Sequence, residues 1–328
     1  MRIAVFGGGA WGTALANLWA GTGHDVTLWA RSAETVATIN ATHENAARLP
    51  GIALSPVLAA STDPAIAAGA ELVVLAVPAQ TVREAAAMIR PILPAQIPVV
   101  LCAKGIETAT GALLSDVVAD ELPRHPPAAL SGPSFAADVA RGLPTAVTLA
   151  AEDEALARRL ASALAAPHFR IYPSSDLTGV ELGGAVKNVL AIACGISDGL
   201  GLGASARAAL VARGFAEMSR YAAAKGARPE TLAGLSGLGD LVLTCAGAQS
   251  RNRTLGLRLG EGMAPGEALA RSSGVSEGAA TAAILARLAR EAGIAMPITD
   301  AVDAVLAERT GVREAVTALL ARPLPANE

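Results

Sequence analysis

The sequence has little net charge, few cysteines and few histidines, and each scarcity excludes a class of protein. Its 328 residues carry a formal net charge of -3 and only 17% are charged, so the chain offers no basic surface for nucleic acid. The three cysteines are widely spaced, which argues against a disulfide framework and for a reducing, cytoplasmic location. The four histidines show no metal-ligand spacing, so we expect no bound metal.

Long hydrophobic runs are also lacking. The most apolar stretch, Leu72–Ala79, is far too short to cross a bilayer and contains Pro78. The apolar residues after Arg2 are compatible with the start of a secretory signal peptide. Three consecutive glycines interrupt them after four residues, and no small-residue cleavage site follows a long apolar core. We therefore expect neither a membrane span nor a targeting segment.

Those glycines open the dinucleotide-binding signature G-x-G-x-x-G. The apolar run Ile3–Phe6 predicts a buried parallel strand, and a helical pattern follows from Thr13. Gly7 permits the tight turn, Gly9 lets the backbone approach a pyrophosphate, and Gly12 lets the helix pack on the strand. Strand, glycines and helix in this order predict a site for NAD or NADP. The alternative is a glycine-rich turn in another α/β fold.

The chain predicts an α/β fold, with an N-terminal Rossmann-type doubly wound parallel sheet and an all-helical C-terminal domain. Strand and helix patterns alternate in the first half, as in a parallel sheet with helices on both faces. The predicted strands are Ile3–Phe6, Val26–Trp29, Leu72–Val77, Val99–Cys102, Ala128–Leu130, Ala146–Leu149 and Phe169–Tyr172. The predicted helices include Thr13–Ala20, Thr81–Ile89, Arg207–Ala224, Glu277–Glu291 and Thr299–Leu306. Strand patterns end near the turn at 173–176, which predicts a Rossmann domain over residues 1–175 and a helical substrate-binding domain over residues 176–328.

The second predicted strand ends without the carboxylate that an NAD-specific site places there to bind the ribose 2′-hydroxyl. Arg31 stands at that position, and its guanidinium suits a 2′-phosphate. We therefore expect NADPH to be preferred, or at least accepted. The alternative is an ordinary solvated arginine at a strand end.

Two other strand ends carry residues suited to binding ligands. Val99–Cys102 leads into Lys104, and Ala128–Leu130 leads into the loop Ser131–Ala136. Because ligands bind outside the carboxyl ends of strands in open α/β sheets, these loops are expected to meet cofactor and substrate. Each loop alone is equally well explained as strand-to-helix turn chemistry.

In the second half, Lys187 interrupts an otherwise apolar helical stretch. Gly183 and Gly184 lie on its helical face, although glycine destabilises a helix by roughly 1 kcal/mol. The missing side chains would make room for a ligand beside the ammonium group. Desolvation there would lower the pKa of Lys187 and allow proton exchange near neutral pH. The alternative is a lysine that extends to solvent at a domain boundary.

A second polar cluster runs from Ser250 to Thr254 and immediately precedes a helical pattern. It offers a hydroxyl, a carboxamide and two guanidinium groups, which suit a phosphate. Taken alone, it is equally a helix cap with solvated arginines.

With these motifs in order, the chain resembles the bacterial-type NAD(P)-dependent glycerol-3-phosphate dehydrogenases almost from end to end. The matching segments are GGGAWGTALA, CAKGIE, SGPSFA, GLPTA, GVELGGAVKNVLAIACGISDG, GLGDLVLTC, QSRNRTLG, GVSEG and MPIT. The resemblance implies reversible reduction of dihydroxyacetone phosphate to sn-glycerol 3-phosphate, which supplies phospholipid synthesis in the cytoplasm. It also implies a homodimer.

The resemblance further implies roles for individual residues. The proton-exchanging lysine, which also contacts the substrate, corresponds to Lys187. The other substrate contacts correspond to Lys104, Gly132, Ser134, Asp240, Ser250, Arg251 and Asn252. The cofactor contacts correspond, beside the three glycines of the signature, to Trp11, Arg31, Lys104, Ala136, Arg251, Val275 and Glu277. Ala10 departs from the family, in which many members carry a serine, so a hydroxyl contact to the cofactor is missing there.

Two rival functions use parts of the same pattern. A ketopantoate reductase or a 3-hydroxyacid dehydrogenase shares the two-domain plan and a lysine, but it would bind a carboxylate instead of a phosphate. A dinucleotide-sensing protein without catalysis would keep the three glycines, but it need not keep Lys104, Lys187 and Asp240.

Overall fold

One eight-stranded sheet organises the first half of the protein. The structure, a computed structural model, describes residues 1–272 and 274–323. Its strands are β1 (Arg2–Phe6), β2 (Asp25–Trp29), β3 (Ala59–Ser61), β4 (Leu72–Leu75), β5 (Val99–Leu101), β6 (Pro127–Ser131), β7 (Thr145–Ala150) and β8 (Phe169–Ser174). Their order in the sheet is β3-β2-β1-β4-β5-β6-β7-β8, and every neighbouring pair is parallel except β6 and β7.

The central strands are apolar because helices cover both faces of the sheet. All four residues of β4 are buried, as are the last four of β1. The strand order reverses direction between β1 and β4, which opens a crevice at the carboxyl ends of these strands. The loops that follow β1, β4, β5 and β6 meet at this edge.

Helices flank the sheet and make up the second half. They are α1 (Ala10–Gly21), α2 (Ala33–Thr42), α3 (Val82–Ile89), α4 (Leu114–Glu121), α5 (Ala136–Ala140), α6 (Glu154–Leu164), α7 (Leu177–Gly199), α8 (Gly203–Ala224), α9 (Pro229–Ala233), α10 (Asp240–Ala246), α11 (Arg251–Gly260), α12 (Pro265–Ala270), α13 (Glu277–Glu291), α14 (Pro297–Leu306) and α15 (Val312–Leu320). Short 3₁₀ turns cover Pro64–Gly69 and Ala79–Thr81, and a π turn covers Leu235–Gly239.

The 23-residue helix α7 is the central element of the second half. Asp176 caps it, since the Oδ1 atom accepts a hydrogen bond from Gly179 N at 2.9 Å. It packs against α8, α10, α11 and α13. In the described part of the chain it is the one unbroken helix long and apolar enough to cross a membrane, and its whole apolar window is buried inside the protein.

The predicted fold class is confirmed, with differences at particular elements. Helix α1 begins at Ala10, three residues before the predicted start, and β4 ends at Leu75, two residues before the predicted end. Strand β3 was not predicted, because three residues of sequence Ala-Ala-Ser carry no periodic apolar signal. The predicted helix from Thr81 begins one residue later, after a 3₁₀ turn.

Strand β7 runs antiparallel to β6, whereas the alternating pattern predicted a parallel sheet. A parallel return needs a crossover that carries the chain back along the sheet. The connection from β6 to β7 contains only the five-residue α5, which lies at the carboxyl edge and lets the chain re-enter the sheet from that edge.

The last strand ends at Ser174 and α7 begins at Leu177. No strand follows Ser174 within residues 175–272 and 274–323. The division into domains 1–175 and 176–328 stays a prediction, and we keep it as a proposal. Residues 324–328 of the second domain lie outside the described residues.

Candidate active site

Two lysines from the two halves of the chain share one buried carboxylate. Lys104 Nζ donates to Asp240 Oδ2 at 2.6 Å, and Lys187 Nζ donates to Asp240 Oδ1 at 2.8 Å. The Asp240 side chain is 2% exposed and that of Lys187 is 8% exposed. A carboxylate buried this deeply is tolerated only when it is paired, and here it is paired with two ammonium groups. Asp240 therefore holds both lysine side chains close together.

The sheet edge supplies one side of this cluster. Lys104 follows β5, and Gly132 and Ser134 follow β6. The Gly132 carbonyl accepts hydrogen bonds from Lys104 Nζ at 3.2 Å and from Ser134 Oγ at 3.0 Å. Lys187 in the middle of α7 and Asp240 at the start of α10 supply the other side. The cluster therefore lies where the crevice of the sheet meets the helical half.

Burial and neighbouring charges set the protonation of this cluster. Desolvation lowers the pKa of Lys187 to about 8; the Asp240 charge opposes this shift and the Lys104 charge adds to it. Burial raises the pKa of Asp240, but the two lysine charges outweigh it and hold the net pKa below its ordinary value. Lys187 can therefore gain and lose a proton near neutral pH while Asp240 stays ionised.

Two residues that the sequence did not single out complete the cluster. Thr244 Oγ1 accepts from Lys187 Nζ at 2.7 Å and donates to Asp240 Oδ1 at 3.1 Å. Asn188 Nδ2 donates to the Lys104 carbonyl at 3.1 Å. Thr244 lies one helical turn after Asp240, so the spacing of four residues could have predicted that the two side chains are neighbours. The Asn188 contact joins positions 84 residues apart, and local patterns carry no trace of it.

The start of α11 is tied to the same cluster. Ser250 Oγ caps the helix by accepting from Arg253 N at 3.2 Å. Asn252 Nδ2 donates to Asn188 Oδ1 at 2.9 Å, and Asn252 Oδ1 accepts from Gly278 N at 3.0 Å. These contacts use the amide oxygen of Asn252 and leave one of its N–H groups for a ligand.

The two arginines at this helix start have different surroundings. Arg253 Nη2 pairs with Asp198 Oδ2 at 2.7 Å, which commits it to a protein contact. Arg251 lies against Gly274, where an added Cβ would stand 2.7 Å from Arg251 Nη1. Desolvation lowers the pKa of Arg251, and the charge of Glu277 opposes that shift. Arg251 is therefore the guanidinium of this pair that is suited to bind an anion.

The glycine-rich loop after β1 fits a dinucleotide. Gly7 has a φ of +132°, and a Cβ there would lie 2.6 Å from the Ala76 carbonyl oxygen. A Cβ on Gly12 would overlap the Gly7 carbonyl. Gly9 is the N-cap of α1, and nothing lies within 4 Å of the position of its missing Cβ. The N-terminus of α1 is therefore open to a pyrophosphate.

Three buried polar atoms near this crevice lack a partner among the described residues. They are Trp11 Nε1 in α1, Ser131 Oγ at the end of β6 and Glu277 Oε2 at the start of α13. The other oxygen, Glu277 Oε1, accepts from Ala79 N at 3.0 Å. Burial raises the pKa of Glu277, while the Ala79 N–H and Arg251 oppose the shift. Unpaired buried polar atoms fit a ligand that brings its own hydrogen-bonding groups, as a nicotinamide dinucleotide does.

Three further predicted cofactor residues lie outside the lysine cluster. Arg31 is exposed after β2 and Val275 is 46% exposed just before α13, whereas Ala136, which begins α5, is half-buried against the core of the sheet. Within the described ranges, no side-chain hydrogen bond joins Arg31 or Val275 to the lysine cluster.

The expectation that Gly183 and Gly184 make room for a ligand was wrong. A Cβ on Gly183 would lie 2.7 Å from the Ser236 carbonyl oxygen. A Cβ on Gly184 would lie 2.8 Å from Ser131 Oγ and 3.3 Å from Lys104 Cγ. Neighbouring protein atoms fill the space that both glycines leave.

Both halves of the chain match families of known proteins. The NAD-dependent glycerol-3-phosphate dehydrogenase N-terminus family matches residues 2–157, and the corresponding C-terminus family matches residues 176–317. A glycerol-3-phosphate dehydrogenase (NAD(P)+) of Caulobacter vibrioides is 55% identical over 98% of this chain and 98% of its own length. The protein of that name from Beijerinckia indica is 58% identical over 98% of this chain and 96% of its own length.

Solved structures agree with these matches. The crystal structure of a glycerol-3-phosphate dehydrogenase from Coxiella burnetii is 42% identical, covers 98% of this chain and 99% of its own, and has a TM-score of 0.94. A ketopantoate reductase from Ralstonia eutropha covers 98% of this chain and 100% of its own with a TM-score of 0.61, but at 19% identity it shares the fold alone. The chain belongs to the family of bacterial-type NAD(P)-dependent glycerol-3-phosphate dehydrogenases.

Proposed function

We propose that the protein catalyses the reversible reduction of dihydroxyacetone phosphate to sn-glycerol 3-phosphate with NADPH or NADH, and that Lys187 exchanges the proton. The observation that carries this proposal is the cluster of Lys187, Asp240 and Lys104. In it, a buried lysine of lowered pKa lies beside a second positive charge. The names of the curated relatives support the choice of substrate.

The residues present fit a nicotinamide dinucleotide. Gly7, Gly9 and Gly12 with the N-terminus of α1 would receive its pyrophosphate, and Arg31 would face a 2′-phosphate. The other residues assigned to the cofactor are Trp11, Lys104, Ala136, Arg251, Val275 and Glu277. The bound cofactor supplies the hydride. We propose that NADPH is preferred, because no carboxylate occupies the Arg31 position.

Proton transfer is the task of Lys187. Its ammonium donates a proton to the ketone oxygen as negative charge develops there, and the neutral amine takes the proton back in the reverse direction. Asp240 and Thr244 hold Lys187 Nζ in place through hydrogen bonds. Lys104, held by the other oxygen of Asp240, stabilises the developing alkoxide by its charge.

The phosphate of the substrate is assigned to the start of α11. Arg251 contributes its guanidinium, Ser250 its hydroxyl and Asn252 its remaining N–H group. The loop with Gly132 and Ser134 closes the other side, beside Lys104. Binding at the phosphate fixes the orientation of the carbonyl before proton transfer.

The proposal is tested with Lys187→Ala. Loss of a general acid lowers kcat by about 10² to 10⁴. NADPH affinity, measured by fluorescence titration, is expected to stay near that of the wild type. Lys225→Ala is the matched control, because Lys225 lies over the Tyr221 ring at 5.7 Å and has no place in the cluster. Near wild-type kcat in Lys187→Ala would remove Lys187 from the mechanism.

The rival substrate is tested in the same NADPH-oxidation assay. We expect turnover with dihydroxyacetone phosphate and none with ketopantoate, because Arg251, Ser250 and Asn252 form a receptor for phosphate. Faster turnover of ketopantoate would contradict the proposed substrate.

The product, a phosphorylated glycerol, suits glycerophospholipid synthesis, and we propose that the enzyme supplies it in the cytoplasm as a homodimer. Analytical ultracentrifugation is the measurement for the dimer, with an expected mass of twice the 32.8 kDa of the chain. A sedimenting species of 32.8 kDa at assay concentration would contradict it.

A further inference from the structure

We propose that Gly184 is a positioning residue for Lys104: its missing side chain seats the Lys104 stem and the Ser131 side chain, and thereby sets Lys104 Nζ against Asp240. This inference rests on the proposed function, in which Lys104 stabilises the developing alkoxide. It replaces the expectation that Gly184 leaves room for a ligand: the space beside Gly184 holds two protein side chains instead.

Lys104 is held along its whole length. Its carbonyl accepts from Asn188 Nδ2 at 3.1 Å, and its Nζ donates to Asp240 Oδ2 at 2.6 Å. Between these two ends, the stem passes Gly184: an ideal Cβ on Gly184 would stand 3.3 Å from Lys104 Cγ and 3.6 Å from Lys104 Cβ. Gly184, Lys187 and Asn188 lie on one face of α7, which therefore contacts the lysine cluster at three successive points.

Ser131 occupies the other side of the same space. It ends β6, and its Oγ would stand 2.8 Å from a Cβ on Gly184, closer than real Cβ atoms come to any atom. This hydroxyl is buried and has no hydrogen-bond partner within residues 1–272 and 274–323. An unpartnered buried hydroxyl lowers stability through its desolvation, and Ser131→Ala therefore frees this space without breaking a hydrogen bond among the described residues.

A methyl group at position 184 must therefore displace Ser131 or the Lys104 stem. Both displacements change the position of Lys104 Nζ, because Ser131 directly precedes Gly132, whose carbonyl accepts from that Nζ at 3.2 Å. We expect Lys104 Nζ to withdraw from Asp240. The repulsion that Lys104 exerts on Lys187 then weakens, and Lys187 holds its proton to a higher pH.

The test compares Gly184→Ala, Ser131→Ala and the double variant in the reduction of dihydroxyacetone phosphate. Gly184→Ala is expected to lower kcat at least tenfold and to move the alkaline limb of kcat/KM upward in pH. Ser131→Ala is expected to keep wild-type kinetics. In the double variant the methyl group introduced at position 184 takes the space of the deleted hydroxyl, so kcat and the alkaline limb return to wild-type values.

Gly183→Ala is the matched control, because its Cβ would meet the Ser236 backbone oxygen, which Ser131→Ala does not move. Ser131→Ala is therefore expected not to rescue Gly183→Ala. If Gly184→Ala does not fold, Ser131→Val crowds the same space from the strand side and is expected to give the same loss of kcat and the same movement of the limb.

A folded Gly184→Ala enzyme with wild-type kcat and an unmoved alkaline limb would overturn the inference, and so would a double variant as impaired as Gly184→Ala. Neither result touches the proposed function, which Lys187→Ala tests separately. Near wild-type kcat in Lys187→Ala would remove Lys187 from the mechanism, and a wild-type enzyme that does not turn over dihydroxyacetone phosphate would refute the proposed function itself.

Discussion

The surroundings of Lys187 determine its protonation state, on which the proposed reaction depends. It is buried in α7, and its ammonium has two acceptors, Asp240 Oδ1 and Thr244 Oγ1. Burial lowers its pKa to about 8, although Asp240 attracts the proton. The group therefore changes charge within the pH range in which dehydrogenases are assayed.

The two directions of the reaction are expected to depend on pH in opposite senses. Reduction needs the protonated Lys187, so its kcat/KM is expected to fall as the pH rises through about 8. Oxidation of glycerol 3-phosphate needs the neutral amine, so its kcat/KM is expected to rise through the same range. The measurement is kcat/KM from pH 6 to 10 in both directions. Profiles that move in the same sense would contradict the role of Lys187.

Thr244 provides a control for this profile. Thr244→Val removes a hydroxyl that accepts a hydrogen bond from the charged amine, so the pKa of Lys187 is expected to fall. The pH profiles of both reaction directions then move to lower pH. Thr244→Ser keeps the hydroxyl and is expected to keep both wild-type profiles.

Arg31 is expected to determine the cofactor preference. Arg31→Asp places a carboxylate where NAD-specific sites bind the ribose 2′-hydroxyl, and it repels a 2′-phosphate. The Michaelis constant for NADPH is therefore expected to rise much more than that for NADH. Equal changes for the two cofactors would mean that Arg31 does not bind the 2′-phosphate. Arg313→Asp, an exposed arginine of α15, is the control and is expected to change neither constant.

Individual site residues were predictable from the sequence where a residue suited to binding a ligand follows the end of a predicted strand. Lys104 and Gly132 follow predicted strands, so the expectation that such strand ends meet at one edge placed them near each other. The pairing of Asp240 with both lysines was not predictable from patterns, because it joins residues 53 and 136 positions apart. The role of Gly184 was misjudged because a sequence shows that a side chain is missing and not which atoms use the space.

At the scale of elements, α7 and α11 are in backbone contact through glycines. A Cβ on Gly195 of α7 would overlap the Arg253 carbonyl, and a Cβ on Gly256 of α11 would overlap the Ile192 carbonyl. Gly199 and Gly260, one turn further along each helix, face the partner backbone in the same way. This contact fixes the start of α11, with its proposed phosphate receptor, against the helix that carries Lys187.

Gly256→Ala is expected to destabilise the protein strongly. Overpacking a tight contact costs about 1–3 kcal/mol or more, and here the clash is with backbone, which cannot rotate away. Gly266→Ala in α12 is the control, because nothing lies within 4 Å of its Cβ position and alanine favours a helix by up to about 1 kcal/mol. The measurement is the free energy of unfolding in urea. Equal stability of the two variants would show that α7 and α11 can separate without loss.

Elements with a strong apolar pattern were predictable, and those defined by their neighbours were not. Helix α13 has the predicted bounds, since its 15 residues carry a regular apolar face. Strand β3 forms because its backbone pairs with that of β2. Strand β7 is antiparallel to β6 because the connecting helix α5 lies at the carboxyl ends of the strands. Neither reason is present in the local sequence.

At the scale of the whole molecule, two buried glutamates join distant helices. Glu181 of α7 accepts from Ser115 N at 2.9 Å at the start of α4. Glu217 of α8 accepts from Ile298 N at 2.7 Å at the start of α14. Burial raises the pKa of each carboxyl to about 7, against the opposing hydrogen bonds. Their ionisation is therefore coupled to the stability of the fold.

The protein is expected to lose stability between about pH 5 and 8. Because the folded-state pKa of Glu217 lies above the unfolded value of 4.5, its contribution is complete below pH 4.5 and is lost as the pH rises through about 7. The loss is on the order of 1 to 3 kcal/mol for this one group. Urea unfolding at pH 5.5 and 8.0 is expected to show a smaller decline in Glu217→Gln than in the wild type. The exposed Glu314→Gln variant is the control, with the wild-type decline. Parallel declines in all three proteins would contradict this assignment.

The contact between Lys104 and Asp240 also has a consequence for biosynthesis. Lys104 is translated 136 residues before Asp240. At bacterial and eukaryotic elongation rates, this separation corresponds to a delay of about 7 to 27 s. During that interval the sheet emerges from the ribosome with its lysine lacking the carboxylate partner, and Lys187 follows without one. Catalytic competence is therefore a late event in the life of the nascent chain, and it cannot precede the emergence of α10 from the ribosome and its docking between the two lysines.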